Sequence, residues 1–573
     1  MSEPEDYLGA APGDSAAPPP LAVKPRSRGG AVMVFAGIFL SRIMGLVREG
    51  TFARFFGVGP HQDALTAAMR VPNILQNLLG EGILSASFIP IYSGLLAEGK
   101  EKEAGRFAGA IFGLLLAVAA GFALLGNLLA RPIVLFLAPG FQRDAARVAA
   151  GTMAVDRFAL TVVGVRILFP MTGLLVLSVW ALAVLNSNRR FFLPYFAPVL
   201  WNAAIIAALI LGGHSVGHSL QDPATQVSLF RIACWGALAG GLLQFLVQLP
   251  GVVRVLKGFR LSFSTRVPGV REALAAWGPA VAGRGVVQLA GYIDLFLASL
   301  LATGAQGADR FAQIFYLLPI SLFGISVAAS ELPELSRLRA EGAGAAMIGR
   351  VQRALRYVAF LNVPTVVGYF AFGYLVTGLY RWGSFDVRAN WLVYLVLCGY
   401  TTGILATTTS RLLQNTFYAL GDTRSPARIA AIRVGTSALL AVPLMYLFDL
   451  FPLTALVGPL PPGRTLFLGS VGLSLASGFG AWMELYQLRA ALRRKLPDLE
   501  LPWRDELRMV LIASAAALPA AAVWWLLPAH LQIYLEAGLV LGTYGLTYLL
   551  ICRLEGIAEV EELLSGVRRK LKF

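Results

Sequence analysis

Fourteen apolar runs, each of 20 or more residues, follow one another along the chain with short polar intervals between them. Twenty residues of α-helix rise about 30 Å, the thickness of a bilayer's hydrocarbon core, and only helices or closed barrels satisfy their own backbone in that medium. The runs fall near 30–56, 63–94, 106–137, 157–186, 193–213, 227–254, 272–303, 308–335, 350–379, 388–418, 427–449, 466–488, 509–528 and 532–552. The chain is therefore expected to be an all-α polytopic membrane protein with about 14 transmembrane helices. Composition agrees, with 57% hydrophobic and 14% charged residues, where soluble domains carry about 25% charge. The net charge of +16 is spread through short loops rather than gathered in a patch, which is a topology signal and not a nucleic-acid footprint. No nucleic-acid partner is expected.

Loop charge sets the expected orientation. The intervals after runs two, four, six, eight, ten and twelve hold Lys100 and Lys102, Arg189 and Arg190, Arg254 to Arg266, Arg337 and Arg339, Arg424 and Arg428, and Arg493 to Lys495. GVGPHQD after run one and GGHSVGHSLQDPATQ after run five contain neither Lys nor Arg. Both termini are thus expected in the cytoplasm. FIPIYSGLLAEG (88–99) and ELPELSRLRAEG (331–342) share Pro, Ser, Leu, Ala, Glu and Gly at an offset of 243 residues. With six runs between the copies, both enter from the same side, a parallel repeat related by an axis along the membrane normal. The division that follows is a Pro/Ala/Ser-rich tail over 1–28, read as disordered, a first six-helix lobe over 29–257, a basic linker over 258–270, a second lobe over 271–490, a helix pair over 491–553 and an amphipathic helix over 554–573 facing membrane lipid. Two facing lobes enclose a central cavity, the architecture of alternating access.

The first run, GAVMVFAGIFLSRIMGLVREGTFARFF, carries Arg42, Arg48, Glu49 and Arg54 within a span-length segment. Arg42 sits about 18 Å from the helix start, near mid-membrane, where a charge costs several kcal/mol unless it faces protein or a wet cavity. An arginine series at that depth points to a polar space favouring anions. Arg54, nearer the helix end, is as readily read as snorkelling to the interface. No GxxxxGK[ST] phosphate loop, HExxH pair or clustered Cys occurs, so neither ATP hydrolysis nor a metal centre is expected, and Cys234, Cys398 and Cys552 stand alone in apolar runs. The chain reads as a transporter rather than an enzyme.

From Ser41 the text SRIMGLVREGTFARFFGVGPHQDALTAAMRVPNILQNLLGEGILSASFIPIYSGLLAEG resembles the opening of the MurJ (MviN) lipid II flippases of the MOP exporter superfamily. The resemblance continues through RILFP (166–170), LNSNRRFFLPYFAPVLWN (185–202), LLQFLVQLP (242–250), WGPAV (277–281), LASLLATG (297–304) and FYALGDTRSP (417–426). It implies two six-helix bundles plus a final pair whose groove takes a polyprenyl tail, and an activity that flips undecaprenyl-diphosphate-linked peptidoglycan precursor without making or breaking a bond. The implied partners are that lipid or a related polyprenyl-diphosphate lipid, and proteins of cell-wall synthesis. Rival readings are a flippase for another glycan lipid and a non-transporting membrane scaffold.

Residue by residue, the resemblance matches Arg42 and Arg48 to diphosphate-binding arginines and Glu49 and Asp63 to functional acids. Asp294 matches an acid proposed to bind a monovalent cation. Glu81 and Arg166 are gate candidates. Two departures stand out: Gln76 replaces a second-helix arginine, and Gln313 and Ile314 fall where an Asp–Arg pair is expected before Pro319. Arg284 and Arg70 are the candidates to replace the lost charge.

Overall fold

The computed structural model describes residues 28–79, 81–216, 220, 222–459, 465–528, 531–561 and 563, and side chains within these except at 28–35, 71, 75–79, 81–83, 85, 86, 216 and 278–290. Helices account for nearly all of it: α1 Arg28–Phe56, α2 Pro60–Leu79, α3 Glu81–Ala97, α4 Glu101–Leu128, α5 Ala130–Leu137, α6 Asp144–Ala149, α7 Arg157–Ser187, α8 Phe192–Val216, α9 Pro223–Leu246 and α10 Leu249–Val255 in the first half. The second half continues with α11 Val270–Ser299, α12 Ala305–Pro319, α13 Ser326–Ala340, α14 Gly344–Gly378, α15 Val387–Thr401, α16 Ile404–Ala419, α17 Arg424–Asp449, α18 Thr454–Val457, α19 Gly469–Arg493, α20 Trp503–Leu526 and α21 Ile533–Leu554. No β-strand occurs among the described residues.

Nine of the described helices are long and apolar enough to cross a membrane, and ten if the bent pair α15–α16 is one span. A count of fourteen requires that α1, α2 with α3, α11 and α19 also cross. α1, α2 and α11 carry the charged residues that line the space between the bundles, so their lower apolarity goes with that position. The 243-residue offset relates helix bounds as well as letters: shifted by it, α1 would run 271–299, and α11 is Val270–Ser299. The break between α2 and α3 has a counterpart in the π-helical turn Ile320–Ile325 that separates α12 from α13.

Helices α1, α2, α4, α7, α8 and α9 pack on one another as one bundle, and α12, α14 to α17 and α19 as a second. The α20–α21 pair lies against α14, where Tyr544 and Tyr548 donate to the backbone oxygens of Pro364 and Phe360 at 2.8 and 2.9 Å. Leu511, Leu518 and Trp525 face outward from that pair, up to 85% exposed, as expected of a surface whose solvent is lipid. The terminal tail and most of the proposed C-terminal amphipathic helix lie outside the described residues.

The core is not divided evenly between the bundles. At the end carrying the α1–α2 turn, one continuous cluster joins Phe52, Phe55 and Leu65 of the first bundle to Phe311, Phe385 and Val393 of the second. Towards the opposite end each bundle has its own cluster, around Phe88, Phe107 and Trp180 in one and Leu355, Leu412 and Phe417 in the other. There the side chains of Ile38, Phe39 and Arg42 on α1 are exposed, while Gly37 packs against Tyr195 of α8. The two bundles share one core at the first end, and at the other α11 reaches across, placing Val270 and Ala273 in the first bundle's cluster.

Candidate functional site

Between the bundles lies a cavity of about 170 Å³, bounded by α1, α2, α8, α11 and α12. Its chemistry is set by three guanidiniums, those of Arg48, Arg70 and Arg310, and three carboxylates, those of Glu49, Asp294 and Asp309. Arg48 Nη1 donates to Asn202 Oδ1 at 3.0 Å, and its guanidinium lies 4.8 Å from the ring of Trp201. The Trp201 ring is itself fixed by donation to the Ala237 carbonyl at 3.1 Å. Glu49 is the central tie: its Oε1 accepts from Arg48 Nη2 and from Arg310 Nη2, both at 2.6 Å. A buried carboxylate shared by two guanidiniums from opposite bundles is a charge-assisted bridge that offsets the desolvation of all three. Its second oxygen has no hydrogen-bond partner among the described residues, and neither do Gln62 Oε1 or Gln306 Oε1 on the same wall.

Arg70 reaches the cavity because α11 presents Gly291 to it. A Cβ at that glycine would stand 1.6 Å from Arg70 Nη2, a contact no side chain can make. Opposite, Asp309 Oδ1 accepts from the Tyr400 hydroxyl at 2.6 Å, and Oδ2 accepts from Gln313 Nε2 at 2.9 Å. Neither Asp294 nor Asp309 forms an ion pair within 4.0 Å among the described residues.

A second polar cluster closes the sealed end. Asp63 is fully buried and accepts from the backbone amides of Gly304 and Gly307 at 2.7 and 2.9 Å. Those amides open α12, whose first turn has no intrahelical acceptors, so a carboxylate from one bundle caps a helix of the other. Gly304 has φ +98, a conformation that favours glycine. Arg157, 1% exposed, holds Asp63 at 3.1 Å and Asp144 at 2.5 Å. Beside this latch the Ser384 amide donates to the Arg54 carbonyl at 2.7 Å, and the Arg54 guanidinium lies 3.7 Å from the Trp382 ring.

The structure thus gathers Arg48, Glu49, Arg70 and Asp294 into one cavity and puts Asp63 in the latch. Arg42 lies outside the cavity, six residues nearer the open end of α1. Arg166 is exposed on α7, and the guanidinium that holds the sealed end belongs to Arg157, nine residues earlier. The side chains of Arg284, Glu81 and Gln76 lie outside the described residues. One expectation is corrected: the second bundle does supply a guanidinium from its second helix. The Asp–Arg pair is Asp309–Arg310, one helical turn before Gln313 and Ile314, and Arg310 faces the cavity. The letters ADR at 308–310 were the available signal.

A family model described as lipid II flippase MurJ matches residues 52–544, which hold both the latch and almost all of the cavity wall. The chain belongs to the lipid II flippase MurJ family. A MurJ described as a lipid II flippase from Burkholderia cenocepacia is 30% identical over 475 residues, covering 81% of this chain and 84% of that one. A probable MurJ from Rhizobium tropici is 29% identical over 483 residues, covering 83% of each. Among solved structures, a MurJ in an inward closed conformation has a TM-score of 0.70 at 20% identity, covering 91% of this chain and 99% of that one. An inward-facing multidrug MATE transporter of the MOP superfamily has a TM-score of 0.59 at 14% identity, covering 82% and 98%. At those identities the likeness is one of fold. MurJ proteins are transporters, and this chain is a multi-pass membrane member of that family, not an enzyme.

Proposed function

We propose that the chain flips lipid-linked peptidoglycan precursor, a polyprenyl-diphosphate glycan, from the cytoplasmic to the outer leaflet by alternating access. The observation that carries this is the cavity itself: guanidiniums from both bundles converge on one point between them, in a member of the MurJ family. A diphosphate cannot enter hydrocarbon unaided. Arg48, Arg70 and Arg310 replace its water with charge-assisted hydrogen bonds, and guanidinium geometry suits paired phosphate oxygens.

Glu49 holds both Arg48 and Arg310. An entering diphosphate competes with that carboxylate, takes the guanidiniums over, and releases the bridge between α1 and α12. Loop charge places the α1–α2 turn outside, so the Asp63–Arg157 latch is the outer gate and the arrangement is closed outward. Arg42, on the exposed part of α1, is then a guanidinium on the inward path to the cavity. The apolar face of α20–α21 leaves the polyprenyl tail in the membrane while the headgroup crosses. An inside-negative potential favours return to the cytoplasmic side of any net positive charge the cavity carries once the anion has left.

Rescue of growth in a bacterium depleted of its own lipid II flippase tests this reading. The wild-type chain should restore growth and Arg48→Ala or Arg310→Ala should not, at equal membrane abundance. Failure of the wild-type chain to rescue, while well expressed, would count against the reading.

A further inference from the structure

The cavity that must take an anion is formally neutral. With every group ionised, its three guanidiniums are cancelled by Glu49, Asp294 and Asp309. Glu49 is ion-paired to two arginines, but Asp294 and Asp309 have no such partner among the described residues. Burying a carboxylate without an ion pair costs several kcal/mol, and adding a proton removes that cost. We propose that Asp309, together with Asp294 across the cavity, binds a proton, and that the chain takes up that proton when a diphosphate enters.

The geometry favours a proton over a metal cation. Both oxygens of Asp309 already accept hydrogen bonds, from Tyr400 and from Gln313, which leaves little of the carboxylate for a multi-oxygen coordination shell. No group of three His, Cys, Asp or Glu residues arranged to hold a metal exists among the described residues. A single added proton on one carboxyl oxygen, by contrast, needs no coordination shell, and Asp294 lines the same cavity as a second carboxylate. The step balances simply: one proton leaves water, joins the carboxylate, and the cavity gains one positive charge.

The groups that bias this site come from each element around it. Arg70 of α2 faces both acids. Arg433 of α17 acts on Asp294 through space and is tied to Glu484 of α19 at 2.6 Å. Arg310 of α12 and Tyr400 of α15 face Asp309, and Arg48 and Glu49 of α1 line the same wall. Arg284 is on α11 with Asp294, and its side chain is outside the described residues. Each cation holds the acids ionised while the cavity is empty. A bound diphosphate engages those cations, and the acids then keep only the repulsion of the anion beside them.

The inference rests on diphosphate binding at this cavity. The full chain in detergent is titrated with lipid II by calorimetry in buffers of different ionisation enthalpy, which reads protons taken up per ligand. A diphosphate diester does not itself titrate near neutral pH. Wild type should take up protons, and its affinity should weaken by up to roughly tenfold per pH unit as pH rises through the site's titration. Asp309→Asn should bind lipid II with no uptake from this site and a flatter pH profile. Asp294→Asn is the second variant and should also reduce uptake. Binding by wild type without proton exchange and with constant affinity from about pH 6 to 8 would overturn the inference and leave the proposed function standing. Affinity that follows sodium rather than pH would also overturn it. Infrared difference spectra of the ligand-free protein between acid and alkaline pH give an independent reading. A protonated-carboxyl band lost in Asp309→Asn supports the site even if lipid II proves the wrong ligand, and absence of that band in wild type counts against it.

Discussion

Replacing Asp63 by Asn should open the sealed end. Asp63 accepts two hydrogen bonds from the other bundle, from Gly304 and Gly307, and one from Arg157. Hydrogen bonds to an ionised group are worth about 1.5–3 kcal/mol each, so the two that cross between bundles amount to roughly 3–6 kcal/mol. Asn keeps one acceptor oxygen and turns a donor towards the other amide, so about half of that is lost, roughly 1.5–3 kcal/mol, or roughly a 10- to 150-fold shift towards the outward-open arrangement. Arg157 retains both hydrogen bonds to Asp144, which keeps the first bundle's own loop in place and isolates the effect to the seam. Spin labels at Ala154→Cys and Thr465→Cys sit on either side of a groove at that seam, among its lining residues. Double electron–electron resonance should show a longer-distance population appearing in the Asp63→Asn protein. An unchanged distance distribution in a folded Asp63→Asn protein would refute the assignment of this cluster as the latch.

Other outcomes follow from the same geometry. Glu49→Gln removes the carboxylate that holds Arg48 and Arg310 in the empty cavity, so lipid II should bind about tenfold tighter or more and be flipped more slowly, as read by binding and transport assays on the same preparation. Gly291→Ala places a methyl where Arg70 now lies, and should weaken lipid II binding as much as Arg70→Ala does while leaving thermal stability within a few degrees. Asp422 belongs to a loop outside the spans. Lys495 at 2.5 Å, together with the Ser425 amide and hydroxyl, holds its carboxyl well below the usual carboxylate range. Because the folded value is the depressed one, its stabilisation is fully present above the unfolded value of about 4 and fades as pH falls below it. The difference in Tm between wild type and Asp422→Asn should therefore be constant from neutral pH down to about 5 and shrink in more acid solution.

Much of the fold was legible because membrane solvent leaves few choices: long apolar runs must be helices, and the repeated letters around Pro90 and Pro333 carry the parallel repeat. Arg48, Glu49, Arg70 and Asp294 were legible as charges in apolar surroundings, which need protein partners. Arg157 and Asp144 were not, because each stands near a helix end where a charge is ordinary. Only the fold brings them against Asp63. Arg310 was legible only as one charge near the start of α12, and the fold is what turns it to the cavity. Tyr400 and Gln313 had no signal of their own; they matter because they meet Asp309.

The most direct test of the central claim is transport of lipid II by the purified full chain in sealed liposomes, followed by a reagent that reaches one leaflet alone. The account predicts that the wild-type chain exposes lipid II to that reagent well above the rate of protein-free liposomes. A folded Arg48→Ala/Arg310→Ala protein should do no better than those empty liposomes. Transport by the double variant at the wild-type rate would contradict it.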